Sequence, residues 1–159
     1  MLEDNTPPSE FLVALANGEA PLSGSMFGDA NLAKLVSLTT DTDLRNRDWA
    51  TFLLAQSAAD TDAVRAAFLV AARDEDHMVR GEALRGLAKR DPAAAIPLIR
   101  SELSSDCAQV PVFEAAGLCG DPSLCPWPQP WRGRFLEPAF NRLVEDAFSA
   151  CERSAPADL

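Results

Sequence analysis

The feature that most constrains this chain is a repeat. "DTDLRNRDWATFLLAQ", starting at Asp41, and "DEDHMVRGEALRGLAK", starting at Asp74, carry one pattern twice, an acidic linker and then an amphipathic run. Asp41 and Asp74, Asp43 and Asp76, Arg47 and Arg80, Ala50 and Ala83, Leu54 and Leu87, and Ala55 and Ala88 each lie 33 residues apart. A period of about 20 to 50 residues marks units that cannot bury their apolar faces alone and must stack on their neighbours.

The contents of one period say what is stacked. Val79, Ala83 and Leu87 recur at every fourth residue with Leu84 and Ala88 beside them, the spacing of an amphipathic helix. The run closes on the basic "KRDP", and Pro92 is placed to start a second helix, "AAAIPLIRSEL". Pro97 must fall in the first turn of that helix or kink it. The earlier period has the same halves, "DLRNRDWATFLLAQS" and "DAVRAAFLVAAR", with Asp43 and either Asp60 or Thr61 as N-caps. A third copy shows in "GLCGDP" at Gly117, and "PPSEFLVALANG" with "NLAKLVSL" reads as an atypical opening pair. No run alternates Val, Ile, Thr or aromatics as a strand would, and tyrosine is absent. The expected fold is all-α: an α-solenoid of stacked antiparallel helix pairs in one domain over residues 1–159. Residues 1–40 open it, 41–122 hold the clearest repeats, 123–133 form a Pro/Trp loop, and 134–153 form a capping helix.

The pattern resembles HEAT-like repeats, including the short variety named after phycobilisome lyases. The resemblance rests on "DTDLRNRDWATFLLAQ", "DEDHMVRGEALRGLAKRDPAAAIPLI" and "GLCGDP", and the first copy departs from it with Asn46 where Val79 stands. It implies a curved helical surface that most members use to bind another protein. A few relatives are enzymes, namely bilin lyases and DNA glycosylases on a similar scaffold.

Composition narrows the function. The chain carries 24 acids against 14 bases, a net charge of −10, which disfavours a nucleic-acid binder and suits a basic protein partner. No apolar run approaches the roughly 20 residues of a membrane span, and the start "MLEDNTPPSE" lacks the basic residues of a signal peptide, so a cytoplasmic protein is expected. Cys107, Cys119, Cys125 and Cys151 fall at irregular intervals and the lone histidine is His77, so free thiols are expected rather than a zinc site. Cys119 and Cys125 are the pair to test for proximity. "DTDLRNRD" and "DEDH" lack the glycine and final glutamate of a calcium loop. No serine elbow, H-E-x-x-H or phosphate loop appears, so neither a catalytic site nor a cofactor is expected.

Four positions stand out as architecture. Asp43 with Arg47 and Asp76 with Arg80 read as a ladder in which acids of one turn pair with arginines of a neighbouring repeat. Two others stand out as surface. Trp49 and Phe52 occupy positions filled one repeat later by Glu82 and Arg85, which as charged residues are expected to be solvated, and all four count as candidate partner-binding residues. The two aromatics either pack against the opening helices or anchor a partner. Trp127 and Trp131 interleave with Pro126, Pro128 and Pro130 in a segment that is either a strap over the last repeat or a binding loop. The following run, with Phe140, Leu143, Val144, Ala147, Phe148 and Cys151 at helical spacing, is long enough to cap the stack. The expectation is a monomeric, non-catalytic protein-binding module whose sharper form neutralises a basic partner, as an immunity-type inhibitor does. The rival is a HEAT-scaffold enzyme, with Asp48 beside Trp49 and a cluster of Arg45, Arg47, Arg80, Arg85, Lys89 and Arg90 for a DNA lesion, or with Cys107 or Cys119 for a lyase.

Overall fold

The computed structural model describes residues 6–153, so residues 1–5, part of the stretch read above as lacking a signal sequence, lie outside the described residues. Eight α-helices follow in order: α1 (Glu10–Ala16), α2 (Met26–Leu38), α3 (Leu44–Gln56), α4 (Asp62–Ala71), α5 (His77–Ala88), α6 (Pro92–Leu103), α7 (Val110–Cys119) and α8 (Pro138–Arg153). Two single 3₁₀ turns, Pro122–Leu124 and Gln129–Trp131, lie between α7 and α8. The described residues contain no strand, and the protein is all-α.

Short polar side chains start the helices. Asp43 and Asp76, the repeated aspartates, accept hydrogen bonds from Arg45 N and from Met78 N and Val79 N, so their carboxylates cap α3 and α5. Thr61 rather than Asp60 caps α4, and Asp91 caps α6 ahead of Pro92. Pro97 lies inside α6 beyond its first turn, on an exposed face. Helix α7 stops at Gly120, whose φ of 54° is a left-handed conformation that favours glycine.

The packing follows the period. α3 lies against α5 and α5 against α7, with α1 on α3 at one end and α8 on α7 at the other. α4 packs on α3 and α5, and α6 on α5 and α7. Helix α5 therefore has neighbours on almost every side, and Val79, Ala83, Leu84, Leu87 and Ala88 are all buried. Gly86 is required by a close approach: a Cβ there would fall 2.4 Å from the ring of the fully buried Phe68. Arg90, just past α5, lies 5.0 Å from that ring and donates to the carbonyls of Leu54, Ser57, Ala59 and Gly86, closing the ends of two helices at once.

The proline-rich segment is a strap. Trp131 is buried, its indole N–H donates to Leu103 O at 3.0 Å, and its ring meets Phe113 edge-on at 5.7 Å and stacks on Phe135 at 6.1 Å. A buried Trp whose N–H finds an acceptor contributes to packing on both counts. The closing helix begins at Pro138 rather than near 134, because Asn141 bonds both the N–H and the carbonyl of Phe135 and holds the preceding chain as a turn. Val144, Ala147 and Cys151 form the buried stripe of α8.

Candidate functional site

The repeated arginines belong to the architecture, but with partners other than those expected. Asp43 and Asp76 cap helices and do not pair with Arg47 and Arg80. Arg47 instead spans two turns: it donates to the carbonyls of Asp41 and Thr42, and forks onto both oxygens of Asp74 at 2.8 and 3.2 Å. Arg80 repeats the first half of this arrangement on the carbonyls of Asp74 and Glu75. The third turn lacks a D-x-D pair, and Arg80 reaches Glu102 on α6 at 2.8 Å instead. The Arg47 and Asp74 side chains are each only 11% exposed, so this pair is more deeply set than a surface ion pair.

Across the exposed side of the α3, α5 and α7 row runs a groove built from adjoining recesses. α3 contributes Asp48, Trp49 and Phe52, and α5 contributes Met78, Glu82 and Arg85. α7 adds Val110 and Glu114, with Phe140 of α8 beside them. The groove continues past Leu118 to Leu143 and Asp146 of α8, where Arg85, Lys89 and Arg153 line it as well. Trp49 and Phe52 are half-buried and meet edge-on, with ring centroids 5.7 Å apart. They pack partly on the core while lining the most enclosed of these recesses, of about 210 Å³, so neither expectation for them describes the outcome fully.

Glu82 corrects the sequence reading. It is only 7% exposed, not solvated, and Arg85 is half-buried beside it. Arg85 Nε donates to Glu82 Oε2 at 2.9 Å, its Nη2 reaches the same oxygen, and Arg85 also lies 3.6 Å from Glu114. Its guanidinium covers the Phe52 ring at 5.7 Å. Burial raises the Glu82 carboxyl above its ordinary range, with Arg85 pulling in the opposite direction. Burial also raises Asp48, and the nearby Asp76 charge adds to the effect. Helix α5 was read as having one wet face. The signal for the correction was present: Gly81 and Gly86 let neighbours close in, and Glu82 and Arg85 are spaced i and i+3, as an internal ion pair requires. Met78 and Glu114 were not singled out and Phe140 was read only as part of the apolar stripe of the closing helix, because their meeting depends on how three helices pack; Phe140 is in fact 41% exposed.

The remaining candidates are placed elsewhere. Trp131 is held by the strap and is not open to a partner, and Trp127 is half-buried against the core. His77 is the exposed first residue of α5. The cysteine neighbours are Cys125 and Cys151, whose thiols interact, with Cys119 near Cys151. α8 folds onto α7 and brings in this third thiol from far along the chain. Burial pushes Cys119 and Cys151 up to about 11, so both are protonated thiols at neutral pH. The arginine cluster is likewise committed. Arg45 bonds Thr6 O and Lys89 bonds Ala55 O, while Arg47, Arg80, Arg85 and Arg90 hold the partners given above. Among the described residues no group of His, Cys, Asp and Glu is arranged to hold a metal, and no helix is long and apolar enough to cross a membrane.

Fold and groove together define an all-α protein with a furrow that is acidic and aromatic at its α3–α5 end. No family model matches the chain. It is 27% identical over 125 residues to Protein YibA of Escherichia coli K12, and equally to that of strain O157:H7. The match covers 79% of this chain and 44% of YibA. An X-ray structure of E. coli YibA superposes with a TM-score of 0.65 at 23% identity, over 91% of this chain and 55% of that one, and shows the shared fold. The chain thus spans about half the length of the relatives it matches.

Proposed function

We propose that this chain is a non-catalytic protein-binding module, a HEAT-like α-solenoid that works in the cytoplasm as a monomer and grips a basic partner along the groove of α3, α5, α7 and α8. In its sharper form it neutralises or regulates that partner, as an immunity-type inhibitor would. One observation carries this reading. The groove combines half-exposed aromatics at Trp49 and Phe52 with carboxylates at Asp48, Glu82 and Glu114, while the bases beside them, Arg85 and Lys89, already hold internal acceptors. Rigid aromatic anchors supply affinity, and an acidic rim speeds encounter with a cationic surface. The enzyme alternative draws less support. A DNA-handling site needs arginines available to phosphates, and Arg47, Arg80, Arg85 and Arg90 of the cluster singled out for that role are engaged internally. The raised Cys119 thiol is also a poor nucleophile.

The test is affinity capture from the source lysate with the wild-type chain and a folded Trp49→Ala/Phe52→Ala variant, washed at low and high salt. The expected result is one basic protein that the wild type retains at low salt, high salt releases, and the variant fails to retain. Equal retention by the variant, salt-insensitive retention, or recovery of DNA in place of protein overturns the reading.

A further inference from the structure

Beyond a general docking groove, the recess between α3 and α5 has the chemistry of a single-residue socket. Asp48 and Phe52 lie one turn apart on α3, and Met78 and Glu82 lie one turn apart on α5, so four side chains face one another across the seam, with Trp49 at its edge. The volume of about 210 Å³ suits one long side chain and excludes a folded element. Two features of its acids make the recess favourable to a cation. Asp48 accepts no hydrogen bond from any described residue, although it is half-buried in the recess. Glu82 is more than nine-tenths buried, and both of its Arg85 contacts fall on Oε2, which leaves Oε1 without a donor among the described residues. Among the described residues Thr51 Oγ1 is the buried side-chain polar atom without a partner, so the free oxygens of Asp48 and Glu82 still reach solvent at the mouth of the recess, and such partly desolvated carboxylates gain from an incoming cation.

The walls say which cation fits. A guanidinium is planar, stacks on aromatic faces and can fork between two carboxylates, whereas an ammonium is a compact, strongly hydrated point charge. The chain itself demonstrates the fit, because Arg85 already lies over Phe52 while bonding Glu82. Resting on the reading of the groove as a protein-docking surface, we infer that this recess receives one arginine side chain of the partner, its guanidinium held by Asp48 and Glu82 Oε1 and flanked by Trp49. The socket gives the groove a specificity element, so a partner whose anchor is arginine binds more tightly than one carrying lysine there.

The probe is Nα-acetyl-arginine amide, titrated into the full ¹⁵N-labelled chain while the indole N–H of Trp49 is followed by NMR. Trp49→Phe identifies that resonance against those of Trp127 and Trp131. The expected result is a saturable shift of Trp49 at millimolar probe, with acetyl-lysine amide weaker and the neutral acetyl-citrulline amide without effect. Asp48→Asn and Glu82→Gln, near-isosteric changes, each weaken the interaction about fivefold or more. Wild-type-like Trp127 and Trp131 resonances in either variant show that the fold is kept. A Trp49 resonance unmoved at tens of millimolar arginine amide, or moved equally by citrulline amide, overturns the socket. So does unchanged arginine affinity in both folded variants. None of these outcomes bears on the salt-dependent capture, which judges the groove independently.

Discussion

Arg47 and Asp48 are neighbours in sequence and belong to two different regions of the molecule. Arg47 points to the turn edge, where it satisfies two carbonyls and both oxygens of Asp74. Asp48 lines the groove with no donor among the described residues. The edge is a closed account of charge, repeated by Arg80 with Glu102, and it fixes how one turn meets the next. The groove is an open one, in which Asp48 has no cationic partner and Glu82, though paired with Arg85, keeps one oxygen without a donor. The difference teaches where to look for function in this chain: charge tied up between turns records the packing, and half-buried carboxylate oxygens that reach solvent without a donor mark a surface open to a partner.

The comparison can be broken at four points. The largest effect is expected at Arg47→Ala, which strips a largely buried carboxylate of its partner and frees two turn carbonyls. A loss of about 3 kcal/mol in urea unfolding is predicted, with partner affinity unchanged once the folded fraction is corrected for. Arg80→Ala costs less, about 2 kcal/mol, because its pair with Glu102 is more exposed, and its melting temperature falls while binding stays. Loss of binding at unchanged stability in either variant would merge the two regions and defeat the distinction.

Asp48→Asn is expected to act in the opposite sense. The folded protein holds this acid above its unfolded value through burial and the Asp76 charge. The stabilising effect of the protonated form is therefore complete below the unfolded pKa and is lost as pH rises through the folded one. At neutral pH the charged Asp48 is a burden, so Asp48→Asn melts slightly higher than wild type yet binds the basic partner more weakly. That advantage vanishes on acidification, and thermal melts at acid and neutral pH check it. The smallest effect belongs to Glu75→Gln. Its ion pair with Arg47 uses an acid that is 88% exposed, and no shift in melting temperature is expected beyond measurement error.

Local chemistry made much of the all-helical plan legible. The 33-residue spacing located α3 and α5, Asp43 marked the start of α3, and the prolines after Asp121 announced the loss of a regular helix. The groove was legible as separate pieces, two aromatics in odd places at Trp49 and Phe52, Glu82 and Arg85 as candidate contacts, and Asp48 beside Trp49, without the seam that joins them. Glu82 was misread because its type suggests solvent, and only the enclosure of α5 by α3 and α7 buries it. Met78, Glu114 and Phe140 lie far apart in the sequence and meet through stacking, which periodicity does not reveal. The Cys125–Cys151 approach was missed for the same reason, since it depends on where α8 lands.

Side-chain footprinting of the captured complex tests the central claim most directly. Hydroxyl radicals oxidise exposed Met and Trp, and the chain provides both probe and control. Met78 and Trp49 line the groove, while Met26, 84% exposed at the start of α2, lies outside it. A groove-bound basic partner predicts that oxidation of Met78 and Trp49 falls several-fold while that of Met26 is unchanged. Unaltered oxidation at Met78 and Trp49, with protection at Met26 instead, would place the partner elsewhere and contradict the account.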